Sequence, residues 1–209
     1  TAILNPISTI TTPGGSTQTF TVTYSDNVAI NVASLDSADI RISGPNGFNQ
    51  LATLVSVNPS GNGTPRTATY QIAAPGGNWN AQDNGTYNLF IESGQVRDTS
   101  NNSIPPWNLG TFTVNIPDTT SPTASLNPIP SITTSTSSFH IFTVTYTDDV
   151  AINTASLDNA DILVTGPNGF SQLAQLFGVN SFSNNTSRTA TYGIFAPGGT
   201  WDNPDNGTY

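Results

Sequence analysis

The chain is a tandem repeat, and this feature limits the possible folds more than any other. When the sequence is shifted by 122 positions, residues 2–87 align with residues 124–209 without a gap, and 55 of the 86 aligned pairs are identical. Identity of this extent predicts two copies of one fold. A repeat of this length is typical of an independent domain and is much longer than one unit of a solenoid.

The repeat also sets the expected domain boundaries. We predict a first domain at residues 1–117, a linker at 118–123 and a second domain at 124–209. The junction sequence IPDTTSPTASLNP is rich in Thr, Ser and Pro and has no apolar period, which indicates a short and fairly stiff linker. The first copy continues past Tyr87 through a stretch with no counterpart in the second. We therefore expect the chain to be an excerpt of a longer array, with a neighbouring molecule as the alternative source of the strand that copy two lacks.

Alternation of apolar and polar residues predicts β-strands. In Gln18–Tyr24 the apolar side chains fall on one face and Thr on the other, and His140–Tyr146 repeats the pattern. Further strands are predicted at Ala2–Leu4, Ile40–Ser43, Leu51–Val57, Thr67–Ala73, Thr86–Ile91 and Thr111–Ile116. Turn sequences such as GPNG, PGG and DNG separate them, and one helical turn is expected around Val32–Asp36. Seven or so short strands in each copy predict an all-β antiparallel sandwich, with the C-terminal strand missing from the second copy.

The composition argues against several classes of function. Four Arg residues face thirteen acidic residues, a net charge of −9, so nucleic acid is not an expected partner. No apolar run approaches the roughly 20 residues that cross a bilayer, so we expect no membrane insertion. There is no Cys to serve as a nucleophile, and the single histidine, His140, opens a predicted strand. We expect no enzymatic activity.

Three phrases carry a resemblance to a known family. The linker DTTSPTASL, the phrase VTYSDNVAI and the strand-opening DNGTY resemble bacterial immunoglobulin-like, cadherin-like repeats of large extracellular adhesins and surface proteins. The resemblance covers both copies and implies tandem immunoglobulin-like β-sandwiches at the cell surface. It also implies that Tyr87 and Tyr209 occupy the position of a tyrosine corner, while Trp79 and Trp201 cap one end of each sandwich. A simple core role for these four aromatic residues is the preferred interpretation.

Aspartate residues form the candidate metal site. In an immunoglobulin-like topology the loops that contain Asp26 and Asp98 lie at the same end of the domain, so we expect Asp26, Asp36, Asp39 and Asp98 to converge there. Hard carboxylate oxygens are the ligands that Ca²⁺ prefers. Asp118 in the linker would approach Asp148 and Asp149 in the same way. The complete set of predicted ligands is Asp26, Asp36, Asp39, Asp98, Asp118, Asp148, Asp149, Asp158 and Asp161. Turn formation and capping without any metal are the alternative, because Asp favours both.

These observations predict a non-enzymatic structural or adhesive module, a calcium-stiffened spacer or stalk. The expected partners are neighbouring repeats or identical subunits, with surface glycans or proteins as targets. One alternative is a subunit of an extracellular filament or surface layer assembled by strand exchange. The other is a carbohydrate-binding module, for which Trp107 is the single isolated aromatic candidate.

Overall fold

The structure is a computed structural model that describes residues 1–133 and 137–209. It divides into two compact units, Thr1–Asp118 and Thr119–Tyr209. The fold is all-β, as predicted: the strands pair antiparallel, and the helices of the described residues are single 3₁₀ turns. None of those helices is long and apolar enough to cross a membrane.

The first unit contains two four-stranded sheets, with strands numbered in chain order. One sheet has the order β1 (Ala2–Leu4), β2 (Thr17–Tyr24), β6 (Arg66–Ala73) and β5 (Thr53–Asn58). The other has the order β4 (Asn49–Leu51), β3 (Ile40–Ser43), β7 (Gly85–Ile91) and β8 (Asn108–Val114).

The core of the first unit is built from the predicted inward faces. Phe20, Val22 and Tyr24 of β2 are buried, whereas the Thr residues between them are not, which confirms the period-two pattern. Three aromatic rings pack together in this core. Trp79 meets Tyr87 edge-on at 5.5 Å, and Tyr87 stacks on Phe112 of β8 at 4.8 Å. These contacts confirm the core role of Trp79 and Tyr87.

One predicted strand is divided in the structure. The run Leu51–Val57 was expected to be a single strand, but β4 and β5 belong to different sheets. The chain changes sheets at Ala52, which is fully buried and donates its backbone N–H to the Ile40 carbonyl at 2.9 Å. The first unit therefore has eight strands, one more than predicted, because this short crossing does not interrupt the apolar pattern.

The second unit repeats the first sheet and part of the second. Its four-stranded sheet has the order β13 (Gln175–Val179), β14 (Asn185–Phe195), β10 (Phe139–Ile152) and β9 (Thr123–Leu126). A two-stranded sheet pairs β11 (Leu163–Thr165) with β12 (Ser171–Leu173). The described residues of this unit contain no counterpart of β7 or β8. Trp201 is buried as expected, but Tyr209 is 39% exposed, because nothing in this unit covers it as Phe112 covers Tyr87.

Candidate functional site

Four of the predicted ligands, Asp26, Asp36, Asp148 and Asp158, close turns of their own backbone. Oδ1 of Asp26 accepts from the Val28 N–H at 2.9 Å, and Oδ1 of Asp36 accepts from the Ala38 N–H at 2.7 Å. Asp158 repeats the Asp36 contact, with the Ala160 N–H at 2.7 Å. These are Asx-turns, in which the carboxylate replaces a backbone acceptor two residues before the donor. The spacing of these residues is thus explained without a cation.

Asp39 has a different role, because its carboxyl group lies fully inside the first unit. Oδ2 accepts from the Tyr70 hydroxyl at 2.6 Å and from the Asp36 N–H at 2.9 Å. The hydroxyl oxygens of Tyr70 and Tyr24 are 3.0 Å apart, which extends the chain of hydrogen bonds. Oδ1 of Asp39 is buried with no hydrogen-bond partner among the described residues. Burial raises the pKa of this carboxyl to about 6.

The second unit contains the same arrangement at the equivalent positions. Oδ2 of Asp161 accepts from the Tyr192 hydroxyl at 2.7 Å and from the Asp158 N–H at 2.9 Å. The hydroxyl of Tyr146 lies 3.0 Å from that of Tyr192. We call each set, Asp39–Tyr70–Tyr24 and Asp161–Tyr192–Tyr146, an Asp–Tyr–Tyr clip. Each clip ties an Asp-containing turn to two neighbouring strands of one sheet, β2 and β6 in the first unit and β10 and β14 in the second, a role that the sequence pattern did not reveal.

Asp98 organises the loop between β7 and β8. Its side chain is buried, with Oδ1 accepting from the Asn102 backbone N–H at 2.8 Å and Oδ2 accepting from the Asn102 side-chain amide at 2.8 Å. These hydrogen bonds, led by that from the amide, lower the pKa of Asp98 from its ordinary value because they stabilise the ionised form. Two backbone hydrogen bonds, both 2.9 Å long, connect this loop to the segment at residues 29–31.

Asp26 and Asp98 line one cleft of about 240 Å³ in the first unit, as the predicted topology brings their loops to one end of the domain. Asp36 and Asp39 do not line it. Within residues 1–118, no three acidic side chains place an oxygen within 4.8 Å of one another. The expected convergence of the four residues is therefore not seen, because the Asp39 carboxyl is turned into the core toward Tyr70.

The remaining predicted ligands lie in different parts of the chain. Asp148 and Asp149 were expected to follow a strand, but both lie inside β10, in a segment where its register with β14 shifts. Oδ1 of Asp148 accepts from the N–H groups of Val150 at 2.8 Å and Ala151 at 3.0 Å. Asp149 is exposed, and Asp118 is the exposed last residue of the first unit. The described residues of the second unit bring no third acidic group to Asp148 and Asp149.

A larger cleft, of about 780 Å³, opens on the second unit beside β11. Ile162 and Val164 line it and are only partly buried, whereas their counterparts Ile40 and Ile42 are fully buried in β3, which pairs with β7. The cleft is thus the space that the β7–β8 pair fills in the first unit. The other apolar side chains along it are Leu126, Ile129, Ile132, Phe142, Ile194, Trp201 and Tyr209.

Comparison with known proteins adds no assignment. No protein-family model matches the chain, and a search of the curated proteins gave no match. The functional assignment therefore depends on the residues and their geometry.

Proposed function

We propose that this chain is a non-enzymatic structural module, a spacer or stalk segment of immunoglobulin-like domains in an extracellular repeat protein. The observation that carries the proposal is which aligned residues are identical in the two copies. Of the 15 buried apolar residues of the first unit that lie in the aligned range, 14 are identical in the second, and the exception is Ile42, which aligns with Val164. Over all 86 aligned positions the number is 55. The repeat thus preserves the packing of a fold, as a protein built from many copies of one rigid element requires.

The surface of the repeat changes much more. Arg41 aligns with Leu163, and Val55 aligns with Phe177. A site repeated in both copies would have kept its exposed residues, so this pattern supports a mechanical role over a repeated binding site.

The immunoglobulin-like assignment is supported by two tyrosines. The Tyr87 hydroxyl donates to the Asp83 carbonyl at 3.0 Å, and the Tyr209 hydroxyl donates to the Asp205 carbonyl at 3.1 Å. A tyrosine that bonds back to the backbone a few residues upstream is a feature of immunoglobulin-like sandwiches. An extracellular location follows only from the resemblance to surface-protein repeats.

The proposal includes stiffening by calcium because the chain has thirteen acidic and only four basic residues. Ca²⁺ takes six to eight oxygen ligands, and neither unit brings three acidic side chains together among its described residues. A cation held by one unit would therefore depend mostly on backbone carbonyls, amide oxygens and water. Thermal unfolding and small-angle scattering of the chain in EDTA and in millimolar Ca²⁺ test this part: a higher midpoint with calcium supports it, and identical curves remove calcium from the proposal.

The mechanical role is tested by pulling the chain between handles at its two ends. A spacer made of antiparallel sandwiches should resist force and then unfold in discrete steps. Complete unfolding of the 118-residue first unit should add about 400 Å of contour length, from roughly 3.4 Å per extended residue. Smooth extension at low force, without a step of this size, would contradict a load-bearing function.

A second candidate function is that of a filament or surface-layer subunit, in which strands of another copy complete the second unit. It is favoured by the 780 Å³ cleft, since β11 is paired on one edge only among the described residues. The equivalent edge in the first unit pairs with β7 in the register Ile40 to Ile91. A donated strand in that register would place its inward residues on Ile162 and Val164.

A peptide corresponding to Gly85–Ile116 tests this candidate. Added to the complete chain, it should bind with 1:1 stoichiometry and raise the midpoint of unfolding. The matched control peptide carries Leu89→Asp and Phe112→Asp, which place charge on the inward face. The candidate would be rejected if neither peptide bound and if sedimentation showed a monomer at all concentrations.

A further inference from the structure

The cleft of the first unit combines an exposed aromatic ring with the buried carboxylate of Asp98. Trp107 lines it and is 47% exposed, whereas Trp79 and Trp201 are 1% and 4% exposed. Asp98, Asn102 and Asp26 line the same cleft, with Ile30 and Ile104. The half-exposed indole of Trp107 beside a carboxylate contrasts with the burial of the other two Trp residues.

The walls of the cleft are held by the backbone. The carbonyl of Trp107 accepts from the Ile91 N–H of β7 at 3.0 Å, and two prolines, Pro105 and Pro106, precede the ring and restrict its backbone. The Ile104 N–H donates to the Val96 carbonyl at 2.9 Å, which closes the loop that carries Asp98. A ligand would therefore meet groups already in position, which lowers the entropic cost of binding.

The polar groups of the cleft suit hydroxyl donors. The side-chain amide of Asn102 donates a hydrogen bond to Asp98, which leaves the amide oxygen as an acceptor for a ligand. The Asp98 carboxylate accepts two hydrogen bonds from Asn102 and one from the Ser100 backbone, which leaves acceptor capacity for one further donor. A hydroxyl group of a ligand can fill that position, and a neighbouring hydroxyl can donate to the Asn102 amide oxygen.

We propose that this cleft binds one neutral pyranose ring of a saccharide, an activity beyond the spacer function and independent of it. The C–H face of the sugar packs on the Trp107 indole, whose π face is negative, and adjacent hydroxyls donate to Asp98 and Asn102. A volume of about 240 Å³ lies below the roughly 300–1,000 Å³ of pockets for drug-sized ligands, which limits the ligand to about one ring. Asp26 and Asp98 outnumber the ammonium group of Thr1, which lines the same cleft, so the net negative charge disfavours uronic and sialic acids.

Saturation-transfer NMR on the complete chain tests the proposal. The probes are methyl β-D-glucopyranoside, methyl β-D-galactopyranoside, methyl α-D-mannopyranoside and N-acetylglucosamine, with glucuronic acid as the anionic control. At least one neutral probe should bind with a dissociation constant on the order of 1 mM, as expected for a ligand of this size. Trp107→Ala should weaken binding at least tenfold, and Trp107→Phe should weaken it less because an aromatic face remains.

Val55→Ala provides the matched control, since Val55 is 57% exposed and does not line the cleft. This variant should bind as the unmodified chain does, and circular dichroism of both alanine variants should show the native fold. The proposal is wrong if none of the neutral probes binds at a concentration 20-fold above the expected dissociation constant. It is also wrong if the Trp107→Ala variant binds a probe as tightly as the Val55→Ala variant does. Binding abolished by EDTA would also overturn it, because recognition by these side chains is direct.

Discussion

The hydroxyl of Tyr70 donates a 2.6 Å hydrogen bond to Oδ2 of Asp39 inside the first unit. The pKa of Asp39 is raised to about 6 from 3.8, first because the carboxyl is buried. The folded state therefore holds this proton more tightly than the unfolded state. The contribution of Asp39 to the free energy of unfolding is greatest below pH 3.8 and is lost as the pH rises through 6. At about 1.4 kcal/mol per pKa unit, the loss is about 3 kcal/mol.

Asp39→Asn tests this prediction, because an amide keeps an acceptor for Tyr70 and cannot ionise. The difference in unfolding free energy between the variant and the unmodified chain should change by about 3 kcal/mol between pH 3.8 and pH 7, with the variant gaining as the pH rises. Urea titrations at several pH values give this difference. A difference that stays constant with pH would contradict the assignment.

The contrast between Asp39 and Asp26 shows how far the sequence could be interpreted. Period-two alternation places Phe20, Val22 and Tyr24 in the core, since a buried strand face needs only local pattern. The same reasoning cannot separate an Asx-turn from a ligand, because Asp26 and Asp39 are both acidic residues near turns. What separates them is the direction of each carboxylate, and that depends on Tyr70, 31 residues away in the chain. The repeat of Asp and Tyr at the same positions in both copies was the only available signal.

Long-range contacts also explain the crossing at Ala52 and the cleft beside Asp98. The run Leu51–Val57 keeps one apolar pattern while the chain moves between sheets, so no local feature marks the change. Asn102 is one polar residue in a loop rich in Asn, so no local pattern distinguishes it. Its importance arises from the two hydrogen bonds that it donates to Asp98.

Gly44 is expected to be restricted by the ring of Tyr87. A Cβ added at Gly44 would lie 2.5 Å from Cδ1 of that ring, which is fully buried and cannot move away. Gly44→Ala should therefore lower the free energy of unfolding by about 1–3 kcal/mol. At the equivalent Gly166 the contact with Tyr209 is equally short, at 2.4 Å, but that ring is 39% exposed. Gly166→Ala should cost less in the same denaturant titration, and equal losses would show that ring mobility does not decide the effect.

Tyr87→Phe removes a single hydroxyl from the core. Its hydrogen bond to the Asp83 carbonyl is buried, and the loss should cost about 0.5–1.5 kcal/mol, with more if the carbonyl finds no water. Tyr209→Phe removes the matching hydroxyl where water can replace it. Thermal unfolding of the two variants should therefore show a lower midpoint for Tyr87→Phe than for Tyr209→Phe. The reverse order would argue against the tyrosine-corner interpretation of Tyr87.

Asn84 joins the turn before β7 to the end of β8. Its side-chain amide donates to the Ile116 carbonyl at 2.8 Å, and its Oδ1 accepts from the Ile116 N–H at 2.7 Å. The side chain thus substitutes for a strand neighbour, and Ile116 behind it is 2% exposed.

Asn84→Ala should cost about 1–3 kcal/mol, since two backbone groups lose their partners together. It should also speed hydrogen exchange at the Ile116 amide, which mass spectrometry of the native chain can measure. The control is Asn206→Ala at the equivalent turn of the second unit, where the described residues offer no counterpart of Ile116. That variant should leave both the stability and the exchange pattern of the first unit unchanged. Unaltered exchange at Ile116 in the Asn84→Ala variant would contradict this prediction. It would show that backbone pairing within the sheet, and not the Asn84 side chain, holds the segment after β8.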